Sequence, residues 1–222
     1  MTARSYGQYC PVARTLELVG ERWTLLMVRE LLLGPMRFTD LHGALAGIPR
    51  NLLAERLRDL EAHGVLARRE LPPPAARTVY ELTDTGRGLM PAIAELARWG
   101  LTHLDPPAPD EPVSPAMAVL AGLAAHVRPQ TAGTGEASYR LEVDGRVFTL
   151  SFTGGRFALG PATVIAPELA VTVSASTLLR LRLGAESVSD AVTAGRMRFS
   201  PDDPTLAGRF LDRFALVQED PT

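Results

Sequence analysis

Apolar residues recur at helical spacing through most of the first hundred positions, then at every second position in the middle of the second half. Between residues 37 and 45, Phe38, Leu41 and Leu45 share one helix face. A break at Ala46-Gly47-Ile48 ends at Pro49, which suits the first turn of a new helix because its missing N–H is not needed there. Residues 50–63 then carry Leu53, Leu57 and Leu60 on one stripe, and Gly64 is a natural left-handed stop. Residues 65–71 and 78–82 read as two strands around a tip with Pro72, Pro73 and Pro74. Upstream, residues 11–19 predict a helix with Val12, Leu16 and Val19 inward. Residues 22–33 predict an apolar core helix with Trp23, Leu26, Met27, Leu31 and Leu32, in which Trp23 is a core anchor. Downstream of a Thr83-Asp84 cap, residues 85–104 predict a helix with Leu89, Ile93, Leu96 and Gly100 along a side, bent at Pro91 unless it starts later.

Four prolines between Pro106 and Pro112 predict a stiff, extended linker over residues 105–113. It separates a domain at 1–104 from another at 114–222. The second opens with an Ala/Leu helix at 116–127. Residues 138–144 alternate through Tyr139, Leu141 and Val143, Asp144-Gly145 makes a two-residue hairpin turn, and residues 147–153 return through Phe148, Leu150 and Phe152. Gly154-Gly155 turns again into residues 156–159, and another strand follows at 169–173. Helices at 176–183 and 187–194, a strand at 197–199 and a last helix after Asp203-Pro204, with Leu206, Phe210 and Phe214 spaced by four, complete it. Strands before helices predict an α+β domain: an antiparallel sheet with helices on one side.

Helix, short turn, helix, hairpin is the order of a winged helix-turn-helix, so the first domain is expected to be mainly α and of that type. A helix of this length fits the major groove, the preceding one braces it, and a hairpin tip reaches the neighbouring backbone. With Leu53, Leu57 and Leu60 inward, Asn51, Ala54, Glu55, Arg58 and Ala62 face out, and Arg50 stands at the exposed N-terminal end. Arg suits guanine and phosphate, and Asn suits adenine. The candidate DNA-binding set is Arg37, Arg50, Asn51, Ala54, Arg58 and Arg77. Arg68 and Arg69 are further backbone candidates, of which alternation lets only one face DNA. Arg56 lies beside the core stripe, where a structural ion pair competes with a phosphate contact.

Several runs resemble the HxlR family of bacterial transcriptional regulators. They are Cys10-Pro11-Val12, Glu21-Arg22-Trp23-Thr24-Leu25-Leu26, Arg29-Glu30-Leu31-Leu32, Arg37-Phe38, Arg56-Leu57, Leu60-Glu61, Gly64-Val65, Val79-Tyr80-Glu81-Leu82-Thr83, Gly86-Arg87 and Trp99-Gly100. The resemblance covers about residues 7–104. It implies a dimeric winged helix-turn-helix regulator joined through its terminal helices, and it puts Cys10 where some members sense oxidants or electrophiles. From Leu169 onward, strand, helix, the run from Ser187 to Met197, Asp202-Asp203 and a Phe-rich helix resemble the sterol-carrier-protein type 2 family. Pro201-Asp202-Asp203 stands where that family usually has Gly-Asp. This resemblance implies an apolar-ligand tunnel between sheet and helices, with Phe148, Leu150, Phe152, Leu178, Leu179, Phe210 and Phe214 as candidate lining.

With 222 residues and 46% hydrophobic content, the chain is long enough for real cores. No run approaches a membrane span or a signal core, and one cysteine allows no internal disulfide and fits a reducing cytosol. Up to Asp105 there are 13 basic and 12 acidic residues, and beyond it 10 and 13; every basic residue is Arg. Bulk charge therefore cannot hold the chain on DNA, and a dimer presenting two recognition helices would compensate. His42, His63, His103 and His126 lack ligand spacing, and Ser151 and Ser174 have no base nearby, so neither a metal, a cofactor nor catalysis is expected. The expected protein is a cytoplasmic, homodimeric repressor of double-stranded DNA, tuned by an apolar small molecule and without a membrane partner. The alternatives are a lipid carrier whose winged domain only dimerises or contacts protein, and a small-molecule enzyme.

Overall fold

Helix α1 (Pro11–Val19) has the expected bounds but buries a different face. Ala13 and Val19 are buried, whereas Val12 and Leu16, expected inward, are 67% and 42% exposed. The periodicity reports an apolar stripe; it does not say that the same chain covers it. The computed structural model describes residues 5–71, 77–108, 111–123, 127, 136–161 and 166–216, which fall into two units, Met1–Ile93 and Ala94–Thr222.

In the first unit, α2 (Thr24–Leu31), α3 (Phe38–Ala44) and α4 (Arg50–Ala62) enclose Met27, Leu31, Leu41, Leu45, Leu53, Leu57 and Leu60. Trp23 caps α2 in a left-handed conformation and packs half-buried on this core. Leu26 of α2, expected in the core, is 39% exposed. Helix α4 ends as its sequence requires: Gly64 takes φ +68, and its N–H bonds back to the Glu61 carbonyl. The chain then forms β1 (Leu66–Leu71) and β2 (Arg77–Leu82), antiparallel with Arg69 opposite Val79. Met36 bridges to Tyr80, adding a short third rung. The proline tip lies outside the described residues.

The single helix expected at 85–104 is two. Thr83 Oγ1 accepts the Gly86 N–H and caps α5 (Asp84–Arg87); a break follows, and α6 (Met90–His103) begins anew. Pro91 explains the division. It has no N–H to continue a preceding helix and is tolerated in the first turn of the next. Ile93 reaches the first unit's core, while Leu96 and Trp99 are exposed.

The second unit opens with α7 (Pro115–Gly122), shorter than expected, since Val127 is not helical. Strands β3 (Ala137–Val143), β4 (Arg146–Thr153) and β5 (Arg156–Pro161) form a meander. Asp144-Gly145 and Gly154-Gly155 make its turns, all four residues at positive φ, which glycine adopts without penalty and Asp tolerates. Then come β6 (Leu169–Val173), α8 (Ala175–Arg182), α9 (Val188–Thr193), β7 (Met197–Ser200) and α10 (Pro204–Arg213). The sheet order is β5-β4-β3-β6-β7, and it is mixed rather than antiparallel: β6 runs parallel to β3, Tyr139 beside Leu169. Alternation fixes which side chains face inward, but not the direction in which a strand returns after a long connection. Pro107 and Ala108, expected within a free spacer, are tied to their own unit. Their carbonyls accept Arg180 Nη1 at 3.2 Å and Ser176 Oγ at 3.0 Å.

Candidate nucleic-acid interface

The packing of α4 decides which of its side chains are free. Leu53, Leu57 and Leu60 are all but inaccessible, which rolls Arg50, Asn51 and Arg58 into solvent and leaves Ala54 half-buried. At 1.5 Å per residue the 13 residues of α4 span about 20 Å. The Arg50 guanidinium lies 6.0 Å over the Phe38 ring, so α3 braces the residue that opens α4. Arg37 precedes α3 and leans toward Asp40 at 3.7 Å, with 43% of its side chain exposed. Arg56 is drawn inward by Glu21, Glu55 and Asp59 at 3.1–3.4 Å. It joins α4 to the segment before α2, which is the ion-pair role its place beside the core stripe allowed.

In the hairpin, pairing register separates the arginines. Arg69 and Arg77 lie on one face and Arg68 on the other, with Leu66 and Leu82. Arg69 is paired with Glu81 at 3.1 Å, whereas Arg77, exposed at the start of β2, has no ion pair among the described residues. Cys10 is half-buried at the residue before α1, and its side chain makes no cap bond.

Among the described residues no group of His, Cys, Asp and Glu could hold a metal ion, and no helix is long and apolar enough to cross a membrane. Two helices joined by a tight turn, the second with an apolar back and a polar front, followed by a hairpin, define a winged helix-turn-helix DNA-binding protein. The family model for the HxlR-like helix-turn-helix matches residues 18–108. The HTH-type transcriptional regulator YvaP of Bacillus subtilis is 35% identical over 101 residues, 45% of this chain and 94% of its own length. YodB of the same organism is 32% identical over 98 residues, 44% of this chain and 88% of its own. A regulator of Mycobacterium tuberculosis, Rv3095, is 46% identical over 101 residues, 46% of this chain but only 62% of its own length. The chain belongs to the HxlR-like helix-turn-helix family, a class of DNA-binding transcriptional regulators and not of enzymes.

In the second unit, Phe148, Leu150, Phe152, Leu178, Leu179, Phe210 and Phe214 are all buried. Phe210 and Phe214 of α10 meet Tyr139 of β3 and Phe152 of β4 with ring centres 5.0–6.3 Å apart. Tyr139, in the same inward stripe, and Arg213, over the Phe152 ring at 4.7 Å, belong to this cluster and were not singled out by sequence. The only sequence signal was a hydroxyl in a stripe that otherwise needs none.

Burial pushes the Tyr139 phenol up to about 12; Arg213 pulls it back, and Glu168 adds to the rise. A phenol raised on folding favours the folded state while it is protonated, so its contribution is full below pH 10 and lost as pH climbs toward 12. Unfolding free energies from urea titration should therefore fall between pH 10 and 12, by roughly 2–3 kcal/mol in all. Tyr139→Phe should lack this component; an identical decline in the variant would remove Tyr139 as its origin.

Proposed function

We propose that the chain is a cytoplasmic, homodimeric repressor. Arg50, Asn51, Ala54 and Arg58 of α4 enter the major groove, and Arg37 and Arg77 hold the flanking phosphates. The observation carrying this is α4 itself, with its leucines buried and its polar N-terminal edge exposed. Two copies are supported by apolar side chains left open on two helices: Tyr9, Val12 and Leu16 in and just before α1, and Leu96 and Trp99 on α6. Occupancy of a promoter by such a pair excludes polymerase, and repression follows.

The second unit is read as a sterol-carrier-like effector domain. What supports this is the element order from β6 to α10 and the aromatic layer between sheet and helix. An apolar molecule seated there alters operator affinity, and DNA alters its affinity by the same factor. Cys10 serves as an oxidant-sensing thiol in the same scheme.

Gel shift against the chain's own upstream DNA tests the interface. Arg50→Ala and Asn51→Ala should each weaken specific binding by about 1–3 kcal/mol, roughly 5- to 150-fold. Arg58→Ala should weaken all sequences alike and flatten the salt dependence. Unchanged binding in all three variants would refute the assignment of α4.

A further inference from the structure

The second unit encloses two buried hydrogen-bond donors without an acceptor at close range: the Tyr139 phenol, toward which Glu168 is turned, and Nη1 of Arg213. They come from opposite layers, β3 and α10, yet converge. The Arg213 guanidinium carbon lies 5.8 Å from the Tyr139 ring centre and 4.7 Å from that of Phe152. Three further rings border the place. Phe214 lies 5.8 Å from Phe152 and 5.9 Å from Phe157, and Phe210 lies 5.3 Å from Tyr139.

A cluster serving only as a core would be better filled by Phe at position 139. A buried hydroxyl without a bond costs about 1–3 kcal/mol, and a guanidinium N–H is dearer to desolvate. A guanidinium only donates, and a phenol donates readily, so the pair calls for acceptor oxygens. A carboxylate accepts from both at once, and its charge answers that of Arg213. The surrounding rings meet edge to face or tilted, the geometry aromatic pairs favour at 4.5–7 Å, so a ligand's ring would find partners of the same kind. Phe157 is only half-buried and sits on the edge strand β5, which gives the way in.

We infer that the second unit binds an aromatic carboxylate, its acid group held by Arg213 and Tyr139 and its ring seated among Phe152, Phe157 and Phe214. The inference rests on the reading of this unit as the effector domain and names the effector's chemistry. Glu168 raises the Tyr139 phenol both through its charge and as a hydrogen-bond acceptor, and is the internal rival for the acceptor role.

Calorimetric titration of the full chain with 1-naphthoate and with the isosteric 1-naphthamide separates the possibilities. The acid should bind at least tenfold more tightly than the amide. Arg213→Met, which keeps the aliphatic stem, should bring the acid down to the amide's level; Arg213→Lys should keep part of the preference, and Tyr139→Phe should lose several-fold. Equal affinities in the unaltered chain, binding of neither probe, or a preference surviving Arg213→Met would each overturn the inference, and binding of neither would return the acceptor role to Glu168. Gel shifts on the same samples keep the two readings apart. DNA binding without naphthoate binding removes this inference and leaves the regulator. Naphthoate binding that leaves operator affinity unchanged keeps the site and removes its role as effector.

Discussion

Gly86→Ala should lower the melting temperature of the winged unit by roughly 10–20 °C, the loss of about 3 kcal/mol spread over a domain of this size. Helix α5 presses directly on the chain leaving α4, and a Cβ at Gly86 would stand 2.0 Å from the Val65 carbonyl oxygen and 3.0 Å from Leu82 Cδ2. That carbonyl cannot move away cheaply, because it accepts the Thr83 N–H at 3.1 Å and the Thr83 hydroxyl at 3.1 Å. Relief must come from lifting α5, which breaks the cap at Thr83 and loosens Leu82 in the core. Gly43→Ala is the matched control. Its Cβ meets nothing within 4 Å, so the change should be neutral or stabilise α3 by up to about 1 kcal/mol. Thermal melts followed by circular dichroism decide the matter: equal melting temperatures for the two variants would show that the contact at Val65 is not limiting.

Phe210→Ala should cost the second unit about 3–5 kcal/mol, moving its urea midpoint down by roughly 1.5–2.5 M. Phe210 is wholly buried and touches three other rings, with centres 5.3 Å away at Tyr139, 5.0 Å at Phe214 and 6.4 Å at Phe199. Removing it leaves a void between α10 and the sheet and unpairs two edge-to-face contacts together. Arg209 lies next to it on the exposed side of α10, so Arg209→Ala should change the midpoint by no more than about 0.5 kcal/mol. A shift for Phe210→Ala as small as that of the control would mean that α10 is not integral to the fold of this unit.

The winged helix-turn-helix could be read from the sequence because its signals are local. The Leu53-Leu57-Leu60 stripe, Pro49 and Gly64 each act within a turn or two of the backbone, and α4 has nearly the predicted bounds. What failed depended on distant partners. Val12 and Leu16 form a true apolar stripe, but nothing in their spacing says what covers it. The direction of β6 follows from how the chain returns after β5, and residues on both sides of that connection look alike whether β6 is parallel or antiparallel. At Pro91 the local rule was sound, yet it could be met by a bend or by a fresh start, and the fold uses a fresh start. Arg213 was invisible for a related reason. It follows Asp212 on a helix that exposes much of its surface, and only the folded chain lays its guanidinium over Phe152.

The two tryptophans make the chain a two-channel optical reporter. Trp23 packs on the first unit's core, so its emission follows the melting of that core. Trp99 stands 61% exposed on α6 with the His103 imidazole stacked 4.5 Å away, so its emission reports the solvent side of that helix. Iodide and acrylamide therefore dim one channel and spare the other, and anything that settles over α6 shows up as light regained.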